Sequence, residues 1–417
     1  MISLFLRIFV LLFLIMNMNI NFHKWDKKIS QKLIRSSKEL LDMDEIQFYQ
    51  PYFSLYFHVH NTKHSHKCID LKRKYYIHEI IEITNRKYHT SNMFLKCKIY
   101  DSFKNIYQIE EVFCKCIPLL DPLYFLMSNY NNFTHRNHLL PSCYNYNTYE
   151  KINNMNNNAY IDTFLSFICS EITLTNLNPS FPVFYGSFNG IKNEFNFDVT
   201  EEYDSLKNEA WFHKNLSKYN IKIDMYISSD EESDESDDEP SDEGGQSDED
   251  DRSSSNSSTL SIDSSNNSEN SSNDYIVLLE KLPVQLFFIE KLQGTLEDLL
   301  SDFEDLNIDL LLSCIFQISF ALMYMQKNYC FTHNDLHINN IMYTSTNKTF
   351  LYYKFNNIYF KIPTFGYLFK IIDFGRSTFR FHNRLFFNDT FEKHGEAEGQ
   401  YSKPYNKLNF KEKDKEK

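Results

Sequence analysis

The chain has 417 residues, of which 42% are hydrophobic, so a wholly disordered protein is excluded. Nine glycines and eight cysteines are too few for a collagen-like chain or a disulfide-stapled scaffold. The formal net charge is −13, but fourteen acidic residues and no basic one lie between Ser228 and Asp251. Without that run the charge is +1, so bulk charge argues neither for nor against a nucleic-acid partner.

The glycines are unevenly distributed along the chain. All nine lie at Gly186 or later, and the first 185 residues contain none. A glycine-rich loop lets the backbone approach phosphate groups without a Cβ in the way. The N-terminal part of the chain is therefore predicted to lack such a loop.

The first twenty residues form an apolar leader, interrupted only by Arg7 between Ile2 and Met16. A basic region and a small-residue cleavage site, which signal peptides require, are not evident. The run is also short for a membrane helix, which needs about 20 apolar residues. We interpret residues 1–20 as a signal peptide, a membrane anchor or an artefact of a misplaced start codon. Membrane association is expected only if the leader is an anchor.

Residues 47–188 read as strands, one helix and a further strand. Residues 47–120 are rich in aromatic and β-branched side chains, and Phe53, Leu55, Phe57 and Val59 are predicted to share one face of a strand. Apolar residues at spacings of three and four predict a helix between Ala159 and Leu174. Further strands are predicted at 93–100, 110–117 and 181–188.

Residues 228–273 are acidic and then rich in Ser and Asn, which predicts a disordered insert within a domain. Strand character returns at 275–290. Helices are predicted at 295–303 and at 307–327, where an apolar face includes Leu310, Ile318 and Met325. Short strands are predicted at 341–343 and 369–372.

The stretch 333–340 reads His-Asn-Asp-Leu-His-Ile-Asn-Asn, and Asp373-Phe374-Gly375 follows it. Carboxylates and an amide in this order suit phosphoryl transfer, which depends mostly on positioning and charge neutralisation. Asp335 would accept a hydrogen bond from the attacking hydroxyl, and Asn340 and Asp373 are hard oxygen ligands for Mg²⁺. His337 could face the γ-phosphate.

These residues resemble the H-R-D-L-x-x-x-N and D-F-G motifs of the protein-kinase superfamily. The segments Thr332–Tyr343, Pro363–Gly366 and Ile371–Arg376 are most similar to those of the atypical serine/threonine kinase-like proteins of giant DNA viruses. The resemblance implies an α+β, bilobal kinase-like fold with ATP and Mg²⁺ as cofactors. It also implies a β-rich N-lobe over 47–292, a helical C-lobe over 293–406 and a charged tail over 407–417.

The resemblance further implies the residues that bind ATP. Lys115, in Val112-Phe113-Cys114-Lys115, would hold the α- and β-phosphates, with Lys96 as its rival. Glu171 on the following helix would be the carboxylate partner of the lysine. The backbone at Glu290 and Leu292 would hydrogen-bond to adenine. His333 is expected to have a structural role.

The chain departs from the kinase pattern at Asn334, where Arg is usual, and at His337, where Lys is usual. It also ends 44 residues after Asp373, which predicts a C-lobe that is truncated after the activation segment. Three functions follow as hypotheses: a serine/threonine protein kinase, a pseudokinase or binding module, and a small-molecule kinase. A protein substrate and a location in the host cytoplasm are expected, whereas the oligomeric state is not indicated.

Overall fold

The computed structural model describes residues 18–25, 27–56, 65–86, 90–130, 139–143, 148–219, 223–227, 273–301, 307–391 and 397. Most of the apolar leader, the acidic insert and the charged tail lie outside these residues. The described chain is of mixed α+β class. In chain order its strands are β1 (Phe22–Lys24), β2 (Met43–Gln47), β3 (Ile69–Leu71), β4 (Tyr75–Arg86), β5 (Met93–Asp101), β6 (Ile106–Pro118), β7 (Phe184–Asp198), β8 (Ile223–Ile227), β9 (Asn273–Glu290), β10 (Gly294–Thr295), β11 (Ile341–Ser345), β12 (Phe350–Phe355), β13 (Ile358–Pro363), β14 (Tyr367–Ile371), β15 (Thr378–Phe381) and β16 (Arg384–Phe387).

The helices alternate with these strands. They are α1 (Lys27–Leu41), α2 (Pro122–Leu126), α3 (Glu150–Asn153), α4 (Asn158–Leu174), α5 (Tyr203–Leu206), α6 (Ala210–Tyr219), α7 (Leu296–Ser301) and α8 (Ile308–Tyr329). Helix α8 begins at a cap in which the Asn307 side chain accepts a hydrogen bond from Leu310 N–H at 3.1 Å. It is also long and apolar enough to cross a membrane, with 39% of its most apolar window buried, a test that core helices also pass.

A seven-stranded sheet organises the first part of the fold. Its strand order is β2-β7-β9-β6-β5-β4, and β8 pairs with β9, with all pairs antiparallel. In β5 the residues alternate strictly between buried and partly exposed, which is the period of a strand with one covered face. The sheet begins at Met43, before the predicted start of this region at residue 47.

Both faces of strand β9 are covered. Leu286 and Phe288 belong to one buried apolar cluster, whereas Phe287 and Ile289 belong to a second cluster that includes α4 and the buried face of α8. Successive side chains of a strand point to opposite faces, so this strand separates the two clusters. Residues at the end of β9 are thereby held between α4 and the second part of the chain.

The second part contains smaller sheets, β10-β11-β14, β12-β13 and β15-β16. The β12-β13 hairpin turns through Asn356 and Asn357, which both have positive φ, at 46° and 65°. Two-residue hairpin turns of this kind need positive φ at both central residues, and Asn tolerates it better than most residues. The strand β14 brings the chain directly to Asp373.

Most of the predicted elements are confirmed. The helices at 159–174 and 307–327 correspond to α4 and α8, and the strands at 93–100, 110–117 and 275–290 correspond to β5, β6 and β9. The predicted strand face at Phe53 to Val59 is wrong at its beginning, because Pro51–Leu55 forms a 3₁₀ turn in which Tyr52 and Phe53 are both buried. Phe57 and Val59 lie outside the described residues.

Candidate functional site

Three charged side chains meet where β6, α4 and the loop after β14 come together. The Nζ atom of Lys115 lies 2.7 Å from Oδ2 of Asp162 and 2.9 Å from Oδ1 of Asp373. The Asp162 side chain is fully buried, the Lys115 side chain is 21% exposed and the Asp373 side chain is 39% exposed. The Asp162 carboxylate is therefore enclosed, whereas the Asp373 carboxylate is partly exposed to solvent.

The charges of this cluster stabilise one another. Burial by itself would lower the pKa of the Lys115 ammonium, but the two carboxylates outweigh burial and hold the pKa above its ordinary value. Burial raises the pKa of Asp162, and Lys115 offsets only part of that effect. Burial also acts to raise the pKa of Asp373, but Lys115, the Gly375 N–H and His333 together outweigh it, and the pKa lies below its usual range. Lys115 and Asp373 are thus both charged at neutral pH.

Asp162 has a second contact that ties the helix to the Asp-Phe-Gly segment. Its Oδ1 atom accepts a hydrogen bond from Phe374 N–H at 3.0 Å. The Phe374 side chain is buried and packs near Phe181, Phe331 and His333. A single carboxylate therefore holds Lys115 with one oxygen and the backbone beside Asp373 with the other.

The predicted carboxylate partner of Lys115 is corrected by this geometry. Glu171 lies nine residues beyond Asp162 on α4, which is about two and a half helical turns and the opposite side of the helix. There Arg73 is a charged neighbour. Burial raises the pKa of Glu171 to about 7, and Arg73 offsets part of this effect. Asp162 takes the role that was expected of Glu171.

Glu171→Gln is expected to raise the free energy of unfolding at pH 8.5 by about 1–2 kcal/mol and to have little effect at pH 5. The folded-state pKa is raised from 4.5 to about 7, so the stability contributed by the protonated carboxyl is complete at low pH and is lost as the pH rises through about 7. Urea unfolding at the two pH values measures the difference. Glu201→Gln, at an exposed position, serves as the control, and equal changes in both variants would contradict the prediction.

The loop between α8 and β11 places Asp335 beside Arg376, the residue that follows Asp373-Phe374-Gly375. The Oδ1 atom of Asp335 lies 3.2 Å from NH1 of Arg376, and both side chains are 32% exposed. Asn340 is buried, and its Nδ2 atom donates to the Asp335 carbonyl at 2.9 Å and lies 3.0 Å from Nε2 of the exposed His337. The amide nitrogen of Asn340 thus makes both contacts, and its oxygen takes part in neither.

His333 and Asn334 hold this loop in place. His333 is buried, its Nε2 atom lies 3.0 Å from the Ile372 carbonyl, and burial lowers its pKa. Asn334 donates from Nδ2 to the Arg376 carbonyl at 2.9 Å and has a φ of 67°. Asparagine tolerates this left-handed conformation better than most residues, which gives a structural reason for Asn at this position.

Asp373 also has a left-handed backbone, with a φ of 61°. Such a conformation costs about 1 kcal/mol or more in most non-glycine residues, and Asp tolerates it better than most. Gly375 follows closely: its N–H donates to Oδ1 of Asp373 at 3.3 Å, and a Cβ there would lie 3.2 Å from the same oxygen. The Asp373 carboxylate is therefore held from two sides, by Lys115 and by the Gly375 backbone.

The end of β9 differs in part from the expectation for adenine binding. The Glu290 N–H donates to the Val183 carbonyl at 2.9 Å, so it is not available as a donor to a base. The Glu290 carboxylate instead forms an ion pair with the buried Lys370. Leu292 is buried, and within the part of the chain that the structure describes its backbone N–H and C=O have no hydrogen-bond partner.

A cavity of about 130 Å³ opens beside the charged cluster. It is smaller than the pockets of about 300–1,000 Å³ that usually hold organic ligands. Aromatic and aliphatic side chains from both parts of the chain form most of its wall, and Lys115 and Asp373 lie at its polar end. The lining residues include Asn92, Lys115, Phe287, Ile289, Asp373 and Phe374.

Lys96, the rival of Lys115, lies away from this cluster. Its side chain is 44% exposed and forms an ion pair with Glu82 at 3.0 Å on the neighbouring strand. Two residues at the site were missed by the sequence prediction, Asp162 and Arg376. A signal for Asp162 was present, since it and Glu171 are the two acidic residues of the predicted helix 159–174.

Comparison with known proteins adds a viral relative. No protein-family model matches the chain. Over 81 residues the chain is 40% identical to the uncharacterized protein 098R of Invertebrate iridescent virus 6. The matched stretch covers 18% of this chain and 13% of that protein. The similarity is therefore partial, and the name of the relative states no activity.

Proposed function

We propose that the protein is a kinase-like phosphotransferase that transfers the γ-phosphate of ATP to a serine or threonine hydroxyl of a protein. The observation that carries this proposal is the contact of Lys115 with both Asp162 and Asp373. In protein kinases a lysine on a strand of the N-lobe sheet pairs with a carboxylate on the following helix, and the Asp of Asp-Phe-Gly faces the metal. Here one lysine contacts carboxylates at both positions.

The arrangement of the elements supports a bilobal, kinase-like architecture. Lys115 is on a strand of the large antiparallel sheet, and α4, which carries Asp162, follows this strand in the chain. After β9 the chain enters α7 and α8, and the Asp335 loop follows α8 directly. This order of strand, helix, linker, helix and loop is what the sequence motifs imply.

The residues present fit Mg²⁺ and phosphate groups. Asp373 offers a carboxylate with a lowered pKa, and the oxygen of Asn340 is the atom of that amide not used in the loop contacts. No group of three acidic, His or Cys side chains forms a metal site among the described residues. This suits Mg²⁺, which is usually bound by one or two carboxylates together with phosphate oxygens and water. When bound, the ion would neutralise charge on the phosphates.

The roles of the side chains follow from their charges. Lys115, held by Asp162, would present its ammonium to phosphate oxygens. Asp335 would accept the hydrogen bond of the attacking hydroxyl and take its proton as the oxygen–phosphorus bond forms and the bond to ADP breaks. His337 is exposed beside Asn340, where it could face the transferred phosphate. The hydrophobic part of the cavity and the Leu292 N–H would receive the base.

Two observations favour a pseudokinase or binding module as the second candidate. The connection between β4 and β5 ends just before Met93, which pairs with Cys114 beside Lys115, and it contains no glycine. Arg376 also forms an ion pair with the Asp335 carboxylate, the group that would accept the hydrogen bond of the attacking hydroxyl. A protein that binds nucleotide without turnover, or binds none, would correspond to this candidate. A small-molecule acceptor in place of a protein is the third hypothesis, prompted by His337.

Mg·ATP is expected to raise the melting temperature of the wild-type protein, and Lys115→Met is expected to abolish most of that shift. Methionine keeps the length of the side chain but removes the charge that faces the phosphates. Lys96→Met is the matched control, because it removes a lysine from the adjacent strand that pairs with Glu82 instead. Thermal shift assays and ATP turnover with protein and aminosugar acceptors measure the outcome. An unchanged melting temperature for the wild type would contradict nucleotide binding.

A further inference from the structure

The β12-β13 hairpin, inserted between β11 and β14, has one face packed on helix α8. Tyr353 and Phe360 are paired across the hairpin and contact Phe316, with ring centroids 5.4 Å apart in each case. Tyr353 also lies 4.5 Å from Phe320. The inner face of the hairpin is therefore packed against the helix, and its outer face is exposed to solvent.

The outer face presents two tyrosines and two lysines in a crossed pattern. Tyr352 is paired with Lys361, and Lys354 is paired with Tyr359. The tyrosines are 74% and 71% exposed, and both lysines are exposed. Diagonal neighbours on an antiparallel pair are separated by about 7–8 Å, so both aromatic rings lie within one small area. The Lys354 ammonium lies 5.1 Å from the centre of the Tyr359 ring. We call these four residues the Tyr–Lys face.

The charge around this face has one sign over a long stretch of the sequence. Residues 341–372 contain four lysines and no acidic residue. Among the residues that the structure describes, Lys370 is the one of the four that forms an ion pair, with Glu290. Lys327 at the end of α8 adds a further cation at the turn of the hairpin, where its ammonium lies 5.5 Å from the Phe355 ring centre. The hairpin is thus a cationic platform with exposed aromatic rings.

We propose that the Tyr–Lys face binds single-stranded nucleic acid. Unpaired bases stack on exposed aromatic side chains with little sequence preference, and nearby lysines contact the backbone phosphates. A duplex keeps its base faces covered and offers the tyrosines nothing to stack on. This site lies outside the cluster of Lys115, Asp162 and Asp373, so its occupation does not depend on phosphoryl transfer.

An acidic peptide is the competing occupant, and the aromatic rings argue against it. The acidic run of this chain, Ser228–Asp251, contains no aromatic side chain, and Pro240 is its one apolar side chain. Such a peptide would use the lysines, and its single proline could cover only one of the two exposed tyrosines of the hairpin. Nucleic acid uses both types of side chain, which is why the observations favour it.

The test is fluorescence anisotropy of the full chain with fluorescein-labelled single-stranded dT12, a 12-base-pair duplex and a peptide of residues 228–251. We expect dT12 to bind more tightly than either competitor. Tyr352→Ala/Tyr359→Ala should weaken binding of dT12 about tenfold or more. Lys354→Ala/Lys361→Ala should weaken it and reduce the dependence of log K on log salt by about 1.4, since single strands contribute about 0.7 per phosphate contact.

The control is Lys98→Ala/Tyr107→Ala in the β5-β6 hairpin. There a lysine also lies over a half-exposed tyrosine, at 4.9 Å, but Glu110 and Glu111 are nearby in the chain. This variant should bind dT12 like the wild type. The proposal is overturned if dT12 does not bind, if the tyrosine variant binds it normally, or if the acidic peptide binds as tightly. Unchanged melting temperatures of the variants would show that folding is retained.

Discussion

Asp335→Asn is expected to lower the rate of phosphoryl transfer by about 100- to 10,000-fold, the usual range for loss of a general base. Asparagine has nearly the same size but cannot take the proton of the attacking hydroxyl. The variant should retain the thermal shift produced by Mg·ATP, because Asp335 contacts Arg376 and not Lys115 or Asp373. A steady-state assay of ATP turnover, together with the thermal shift, measures both effects.

The stability of this variant should change little. The ion pair between Asp335 and Arg376 is about one-third exposed on both sides, and such pairs contribute about 1 kcal/mol or less. Asp309→Asn, at an exposed position in the first turn of α8, is the matched control and should leave turnover unchanged. Turnover in Asp335→Asn that equals the wild type would exclude the role assigned to this carboxylate. The absence of turnover in the wild type, with the thermal shift retained, would favour the pseudokinase.

Asp162→Ala is expected to have the largest effect on folding, lowering the free energy of unfolding by about 3–5 kcal/mol. The substitution leaves Lys115 with only Asp373 as a partner and removes the acceptor of the Phe374 N–H. Removing one member of a buried ion pair costs more than the pair contributes, because the remaining charge stays poorly solvated. Urea unfolding at pH 7 measures the loss.

A double-mutant cycle makes this prediction specific. Adding Lys115→Met to Asp162→Ala should recover part of the lost stability, since the second substitution removes the poorly partnered charge. Asp44→Ala is the control for an exposed pair, because Asp44 lies 3.2 Å from Lys281 and is 45% exposed. It should cost about 1 kcal/mol or less. Equal costs for Asp162→Ala and Asp44→Ala would contradict the buried pairing.

Local patterns predicted much of the secondary structure. The alternation of β5 and the apolar face of α8 each reflect contact with one neighbouring layer, and such periodicity is present in the sequence itself. Helix α4 was predicted from the spacing of its apolar residues, although it is buried continuously from Ala159 to Ser170. The pattern failed at Phe53, where alternate apolar residues lie in a 3₁₀ turn that begins at Pro51 and buries successive side chains. Burial on both sides of the chain removes the alternation on which a strand prediction depends.

The candidate site was predicted in part. The positions of Asp335, Asn340 and Asp373 follow from two short motifs, and the structure brings the loop that carries Asp335 to the segment that carries Asp373. The partner of Lys115 could not be obtained in this way, because Asp162 and Glu171 lie on the same helix. Only the rotation of α4 against the sheet decides which of the two faces the lysine.

The sequence by itself determined where the chemically distinctive segments lie along the chain: the acidic run, the N-terminal part without glycine, the Asp335 loop and the Asp373 segment. The tertiary structure decided which groups meet. Asp162 contacts Phe374 across 212 residues, and Arg376 reaches Asp335 across 41. The crossed tyrosines and lysines of the β12-β13 hairpin share a face because of the register of the two strands. Periodicity is a short-range property, whereas these contacts depend on how distant elements pack.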